Sequence, residues 1–166
     1  FRHFPGIGPR QARRFAYFLL TRDASYVSNL SSLITEVKKE TKKCSSCHRF
    51  WTPNEKAKPS EKCDICSEKN RDQNILMVVA RDADLEVIEK SGTYQGSYFV
   101  LGGTLPILDE EPEKRIRIRD LESRIVKDKN LTEIILALNA NPEGEHTAEF
   151  IATTISPIAK EKNIKI

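Results

Sequence analysis

The chain has 166 residues, 31% charged and 39% hydrophobic, which suits one compact domain or a few small modules around a shared core. No apolar run approaches the ~20 residues that cross a bilayer, no basic-then-apolar leader is present and nothing argues for secretion. The net charge of +3 hides an asymmetry: residues 1–70 carry 14 Lys and Arg against 7 Asp and Glu, residues 71–166 carry 13 against 17. The first half is therefore the expected place for a polyanion and the second half the expected scaffold or partner face. The chain opens on Phe1, and its true amino terminus is expected upstream.

In chain order, Pro5-Gly6-Ile7-Gly8 reads as a turn whose two glycines are free to adopt positive φ. A helix is expected over Pro9–Leu20, with Pro in its first turn and Ala12, Phe15, Ala16, Leu19 and Leu20 at helical spacing. A second is expected from about Ser25 to Glu40. Backbone N–H groups bared at a helix start, with Arg10, Arg13 and Arg14 in the next two turns, suit a nucleic-acid backbone gripped without base reading. Gly6, Gly8, Arg10, Arg13 and Arg14 are the candidate DNA contacts. The alternative is a tight turn that serves packing alone, with the arginines paired to acids such as Asp23 or Glu36.

The only cysteines are Cys44, Cys47, Cys63 and Cys66. Two C-x₂-C knuckles fifteen residues apart can each offer two thiolates to one tetrahedral zinc. His48 is expected at the surface, since four thiolates already complete the shell. Phe50 and Trp51 are expected to cap the small zinc core rather than stack on a base.

Beyond residue 70 the pattern becomes strand–helix alternation. Strands are expected at Ile75–Ala80, at 97–103 and at 133–138, and helices at 82–92, 118–128 and 144–156. An acidic loop is expected at 109–114, and "NIKI" (163–166) reads as the start of a fourth strand. "KRIRIR" (114–119) alternates like an edge strand. Such alternation predicts a parallel sheet flanked by helices, with chemistry at the carboxyl ends of its strands. "NANPEGEH" (139–146) sits at such an end. Mg²⁺ favours hard oxygen ligands including carboxylates, yet this loop carries two asparagines, Asn139 and Asn141. Glu143 and Glu145 remain, with Asp82 and Asp84 nearby in sequence.

The motif h-P-G-I-G-x-x-x-A resembles the helix-hairpin-helix family of non-specific DNA binders, and the loop resembles a degenerate Toprim domain. The Toprim resemblance implies Mg²⁺ held by a glutamate after the first strand and by two loop aspartates, positions that read Ala80, Asn139 and Asn141 in this chain. In this order with the four cysteines, "FPGIGPRQARRFAYFLL", "CSSCHRF…CDICSEKNRD", "VIEKSGTYQGSYFVLGG" and "NANPEGEHTAEFIA" make the chain similar to the bacterial RecR recombination-mediator family. The implied fold is an α/β Toprim-like domain (71–166) preceded by a helix-hairpin-helix region (1–43) and a small Cys₄ zinc module (44–70). The resemblance implies one structural zinc and a cytoplasmic, nucleoid-associated, non-catalytic mediator that acts with RecO and RecF to load RecA onto single-stranded DNA at gaps. It also implies a dimer or ring-like tetramer. The family pattern has an additional helix before the hairpin and further strand and helix after "NIKI". A Mg-dependent Toprim-type nuclease or nicking enzyme, and a zinc-stapled adaptor that binds only proteins, are the alternatives. A sequence-specific regulator has no recognition helix to support it.

Overall fold

A computed structural model describes residues 1–53, 60–107 and 111–166. The chain divides into two compact units, Phe1–Thr41 and Lys42–Ile166.

The first unit is a helical hairpin. Helix α1 (Pro9–Leu20) and helix α2 (Ala24–Glu40) are joined by a short turn. Asp23 begins α2: its carboxylate accepts from the Tyr26 N–H at 2.8 Å and from the Ser25 hydroxyl at 2.6 Å, satisfying a backbone donor that a helix start leaves open. Phe1 packs edge-on against Phe15 and Phe18 against Tyr26, and the Arg22 guanidinium lies 4.2 Å from the Phe18 ring centre. Only Ala12 is buried in α1 and no residue is buried in α2.

The second unit is built on a three-stranded parallel sheet. Its strands are β3 (Asp72–Val79), β4 (Gly96–Val100) and β5 (Glu133–Ala137), in the order β4-β3-β5. Before it come a two-residue ribbon, β1 (Lys42–Lys43) with β2 (Phe50–Trp51), and the short helix α3 (Asp64–Ser67). Helices α4 (Asp82–Ser91), α5 (Pro112–Arg115), α6 (Ile118–Lys127) and α7 (Pro142–Glu161) complete the unit.

The period-two alternation of a strand explains why "ILMVVA" is apolar throughout. Leu76 and Val78 of β3, with Phe99 of β4, join a core made with Leu121 and Ile125 of α6 and Ile151 and Ile155 of α7. The intervening Met77, Val79, Tyr98 and Val100 join a second core containing Leu85 of α4, Ile65 and the cysteines. The four-cysteine module thus covers one face of the sheet. Arg71 fixes the junction: its side chain, 5% exposed, pairs with Glu68 at 2.8 Å and with Glu89 of α4, and also donates to the Gly96 carbonyl at 3.3 Å.

Several sequence expectations need correction. "KRIRIR" is not an edge strand; it crosses from α5 into α6, burying Ile116 and Ile118 in the core while Arg117 Nη1 donates to the Val100 carbonyl at 2.9 Å. The loop expected at 109–114 lies partly outside the described residues, and from Pro112 it is helical. Helix α7 runs through Pro157 to Glu161, because Ile155 and Ala159 on its core face outweigh the backbone hydrogen bond that a proline removes. The closing "NIKI" contributes one parallel bridge, Glu133 to Lys165, rather than a full strand.

Candidate nucleic-acid interface and metal centre

In the hairpin unit, Gly6 takes the left-handed conformation (φ 75°), which favours glycine. Gly8 does not: it is extended (φ −75°, ψ 170°) and is the residue from which α1 starts, with Pro9 next. A Cβ at either glycine would meet nothing within 4 Å, so the space before the helix start is open. Arg10, Arg13 and Arg14 are all exposed on α1. Among the described residues Arg14 donates to the Gln11 side chain at 3.3 Å, and none of the three pairs with a carboxylate. Asp23, one of the acids the sequence offered as a partner, is occupied as the cap of α2.

In the second unit the two knuckles converge. The sulfurs of Cys44, Cys47, Cys63 and Cys66 all lie within 4.8 Å of one another, three of them buried. Cys47 and Cys63 Sγ are 3.6 Å apart. A tetrahedral site with metal–sulfur bonds of about 2.3 Å sets its sulfurs roughly 3.8 Å apart, so the cluster fits one metal ion. Each knuckle is closed by its own backbone: His48 N–H donates to the Cys44 carbonyl at 3.1 Å and Ser67 N–H to the Cys63 carbonyl at 3.0 Å. The N–H groups of Ser46 and Cys63 donate to Cys44 Sγ at 3.4 and 3.3 Å, which favours a thiolate there. Hydrogen bonding from the Cys47 thiol, and then from Cys63, holds Cys44 far below the usual thiol range, and Cys44 in turn pushes Cys47 up. Four sulfurs that compete for protons in this way are a donor set for a cation that displaces them.

Around the cluster, Trp51 packs against the core as expected, while Phe50 is 56% exposed and caps nothing. His48 is not a surface residue. Its backbone turns back in the left-handed region (φ 62°), and its ring lies edge-on to Phe99, 5.0 Å between centres. Burial lowers its pKa, against the opposing pull of Asp120, whose carboxylate is 3.9 Å away. Two hydrogen bonds the sequence could not show tie the module to strand β4 and to the start of α4. Val100 N–H donates to the Cys47 carbonyl at 2.8 Å, and Phe50 N–H donates to the Asp82 carboxylate at 2.7 Å.

At the carboxyl end of the sheet, Val79, Val100 and Ala137 lie side by side, which brings Ala80, Gly102 and the 139–146 loop together. Ala80 is buried at 2% exposure and offers a methyl group. Asn141 begins α7, its Oδ1 accepting from the Gly144 N–H at 2.8 Å. The Asn139 carbonyl accepts from the Asn141 N–H at 2.8 Å. Glu143 accepts from the Thr104 hydroxyl at 3.3 Å, and Glu145 is exposed. Asp82 holds Phe50, and Asp84 accepts from the Arg81 N–H at 2.9 Å at the start of α4. These acids and amides shape the loop and close helix starts. Among the described residues the four cysteines are the one group placed to hold a metal ion.

Residues 74–166 match the family model described as Toprim domain, and residues 1–38 match the one described as RecR, helix-hairpin-helix. "Recombination protein RecR" of Lactobacillus helveticus is 38% identical over 153 residues, covering 92% of this chain and 73% of that protein. Proteins of the same name from Prochlorococcus marinus and Frankia alni are 35% identical over 164 residues and 39% over 155, covering 99% and 93% of this chain. No helix among the described residues is long and apolar enough to cross a membrane.

Proposed function

The chain belongs to the RecR family, and from that premise we propose that it is a non-catalytic DNA-binding mediator of recombinational repair. It works in the bacterial cytoplasm at the nucleoid, with RecO and RecF, to load RecA onto single-stranded DNA at gaps. The hairpin region (1–43) grips the backbone of DNA through the Gly6–Gly8 turn and Arg10, Arg13 and Arg14. The cysteine module (44–70) holds one structural zinc. The Toprim-like domain (71–166) serves as scaffold and partner face.

The observation that carries this reading is that, among the described residues, none of the three arginines pairs with a carboxylate. A structural hairpin would have spent them on acids, whereas these stand exposed beside an open helix start. Phosphate contacts of this kind give affinity without sequence preference. The non-catalytic assignment rests on the loop: Ala80 cannot ligate, Asn141 is committed to the α7 start, and Glu143 already accepts from Thr104. Self-association into a dimer or ring has its support in the hairpin unit, where Tyr17, Leu20, Ile34 and Val37 are each more than 60% exposed. So many large apolar side chains on two helices suit burial against another copy.

Fluorescence anisotropy of labelled single- and double-stranded DNA across a salt series tests the reading, using the full chain and an Arg10/Arg13/Arg14→Ala variant. Steep weakening with salt, and loss of binding in the variant, is the expected outcome. Equal binding by both chains would remove the hairpin from the DNA interface. Absence of binding by the folded, metal-loaded chain would favour a protein-only adaptor.

A further inference from the structure

A second cluster of cations lies far along the sequence from the hairpin, within the second unit. A cleft of about 570 Å³ opens between the cysteine module and the last turn of α6. The module supplies Ser45, Ser46 and Lys62, and the α6 side supplies Arg124, Lys127 and Lys129. The cleft holds four permanent cations against two carboxylates, Asp120 and Asp128. Asp128 is paired with Arg124 at 3.5 Å, and Asp120 stands at the rim, 54% exposed. Lys62, Lys127 and Lys129 are exposed, and among the described residues none of them pairs with a carboxylate. The cleft is of the size that takes a small ligand or one unit of a polymer, and its chemistry is that of an anion site.

Two details strengthen this. Arg124 donates to the Ser46 hydroxyl, which aligns the guanidinium and leaves the hydroxyl proton free to donate onward, while Arg124 Nε is buried with no acceptor among the described residues. The carboxyl end of a helix ordinarily repels anions. Here that end is neutralised: Lys162 Nζ donates to the carbonyls of Ile125, Val126 and Asp128 at 2.7, 2.7 and 2.6 Å.

We propose that this cleft binds a phosphate group of a nucleic-acid strand, seated by Lys62, Lys127 and Lys129 with the Ser45 and Ser46 hydroxyls as neutral donors. The phosphate chemistry follows from the cleft itself; the choice of a strand over a free phosphate compound rests on the function proposed above. The cleft is a second backbone contact, carried by residues other than those of the hairpin.

The test uses the full, metal-loaded chain. Oligothymidylate binding is followed across a salt series for Lys127→Ala/Lys129→Ala, for Lys62→Gln on the opposite wall, for Lys127→Arg/Lys129→Arg, and for the hairpin arginine variant. In parallel, inorganic phosphate is titrated while the backbone amide resonances of Ser45, Ser46 and Ser123, the last lining the cleft from α6, are recorded. Loss of two contacts should make the slope of log affinity against log salt shallower by about 1.4 and weaken binding by ~tenfold at moderate salt. The arginine double variant should bind as the unmodified chain does. Phosphate should shift the three amides, and oligothymidylate should displace it. Unchanged slopes in both lysine variants, with loss of binding only in the hairpin variant, would overturn the cleft and leave the proposed function standing. Phosphate shifts in a chain that binds no oligothymidylate would overturn the strand as the ligand, and the DNA function with it, in favour of a free phosphate compound.

Discussion

The carbonyl oxygen of Asn139 fills the space a side chain would need at position 144: a Cβ built on Gly144 would lie 2.0 Å from it. The same oxygen accepts the Asn141 N–H at 2.8 Å, and the Asn141 side chain accepts the Gly144 N–H at 2.8 Å. The loop therefore folds onto its own backbone at the start of α7, with no room to give. Gly144→Ala must push main chain apart rather than a flexible side chain. We expect a loss of about 3 kcal/mol, read as a lower urea midpoint with an unchanged denaturant slope. A midpoint equal to that of the unmodified chain would show that the loop backbone can relax.

Asn141 serves the helix start rather than a metal. Replacing it with Ala removes the cap and should cost about 1 kcal/mol, while Asn141→Asp, also a good capping residue, should leave stability near that of the unmodified chain. Restoring a carboxylate here does not restore a site, because Ala80 still contributes a methyl group and Asn139 an amide. Supercoiled plasmid incubated with Mg²⁺ should stay intact with the unmodified chain and with Asn141→Asp. Metal-dependent nicking by either chain would return the enzyme reading to consideration.

Trp51, the only tryptophan in the chain, packs against the core that contains Cys44, Cys47 and Cys63. Metal analysis should find one equivalent of zinc per chain. Its removal by a strong chelator should release the module, shift Trp51 emission to the red and uncover Val79, Tyr98 and Val100 on the sheet. Cys63→Ser should give the red-shifted spectrum without chelator. Emission that ignores metal removal would mean that packing alone holds the module.

Hydrogen bonds from Ser25, and then from the Tyr26 backbone, hold the Asp23 carboxyl below its ordinary value. A carboxyl whose folded pKa is depressed stabilises the fold above its unfolded pKa, and this is lost as pH falls through the folded value. Amide protection in the first turn of α2, with the intrinsic pH dependence of exchange divided out, should therefore fall as the solution is acidified below about pH 4, where an unperturbed Asp titrates. Asp23→Asn, which caps without titrating, should remove that acid dependence. If acid-driven fraying persists in Asp23→Asn, its cause lies in another group.

The hairpin and the metal centre were legible in the sequence because both are short-range objects. Pro9 and the apolar spacing set α1, and two C-x₂-C knuckles need only their own backbone turns to point four sulfurs at one spot. The strand–helix alternation gave the parallel sheet for the same reason. Expectations failed where long-range burial overrode a local pattern. The Ile116–Ile118 alternation reads as a strand, yet the core takes Ile116 from the turn after α5 and Ile118 from the first position of α6. His48 reads as surface, yet Phe99, fifty-one positions on, shelters it.

The sequence alone thus determined the helical hairpin, the strand–helix alternation of the sheet, the donor set for a metal and the absence of carboxylates at positions 80, 139 and 141, since those depend on residue identity and near-neighbour geometry. Only the tertiary structure decided that the cysteine module roofs one face of the sheet, that Asn141 is spent on α7, and that Lys62 shares a cleft with Lys127 and Lys129. Each of these joins residues distant in the chain. Their meeting is fixed by which faces bury together, a property of the packed whole that no local stretch encodes.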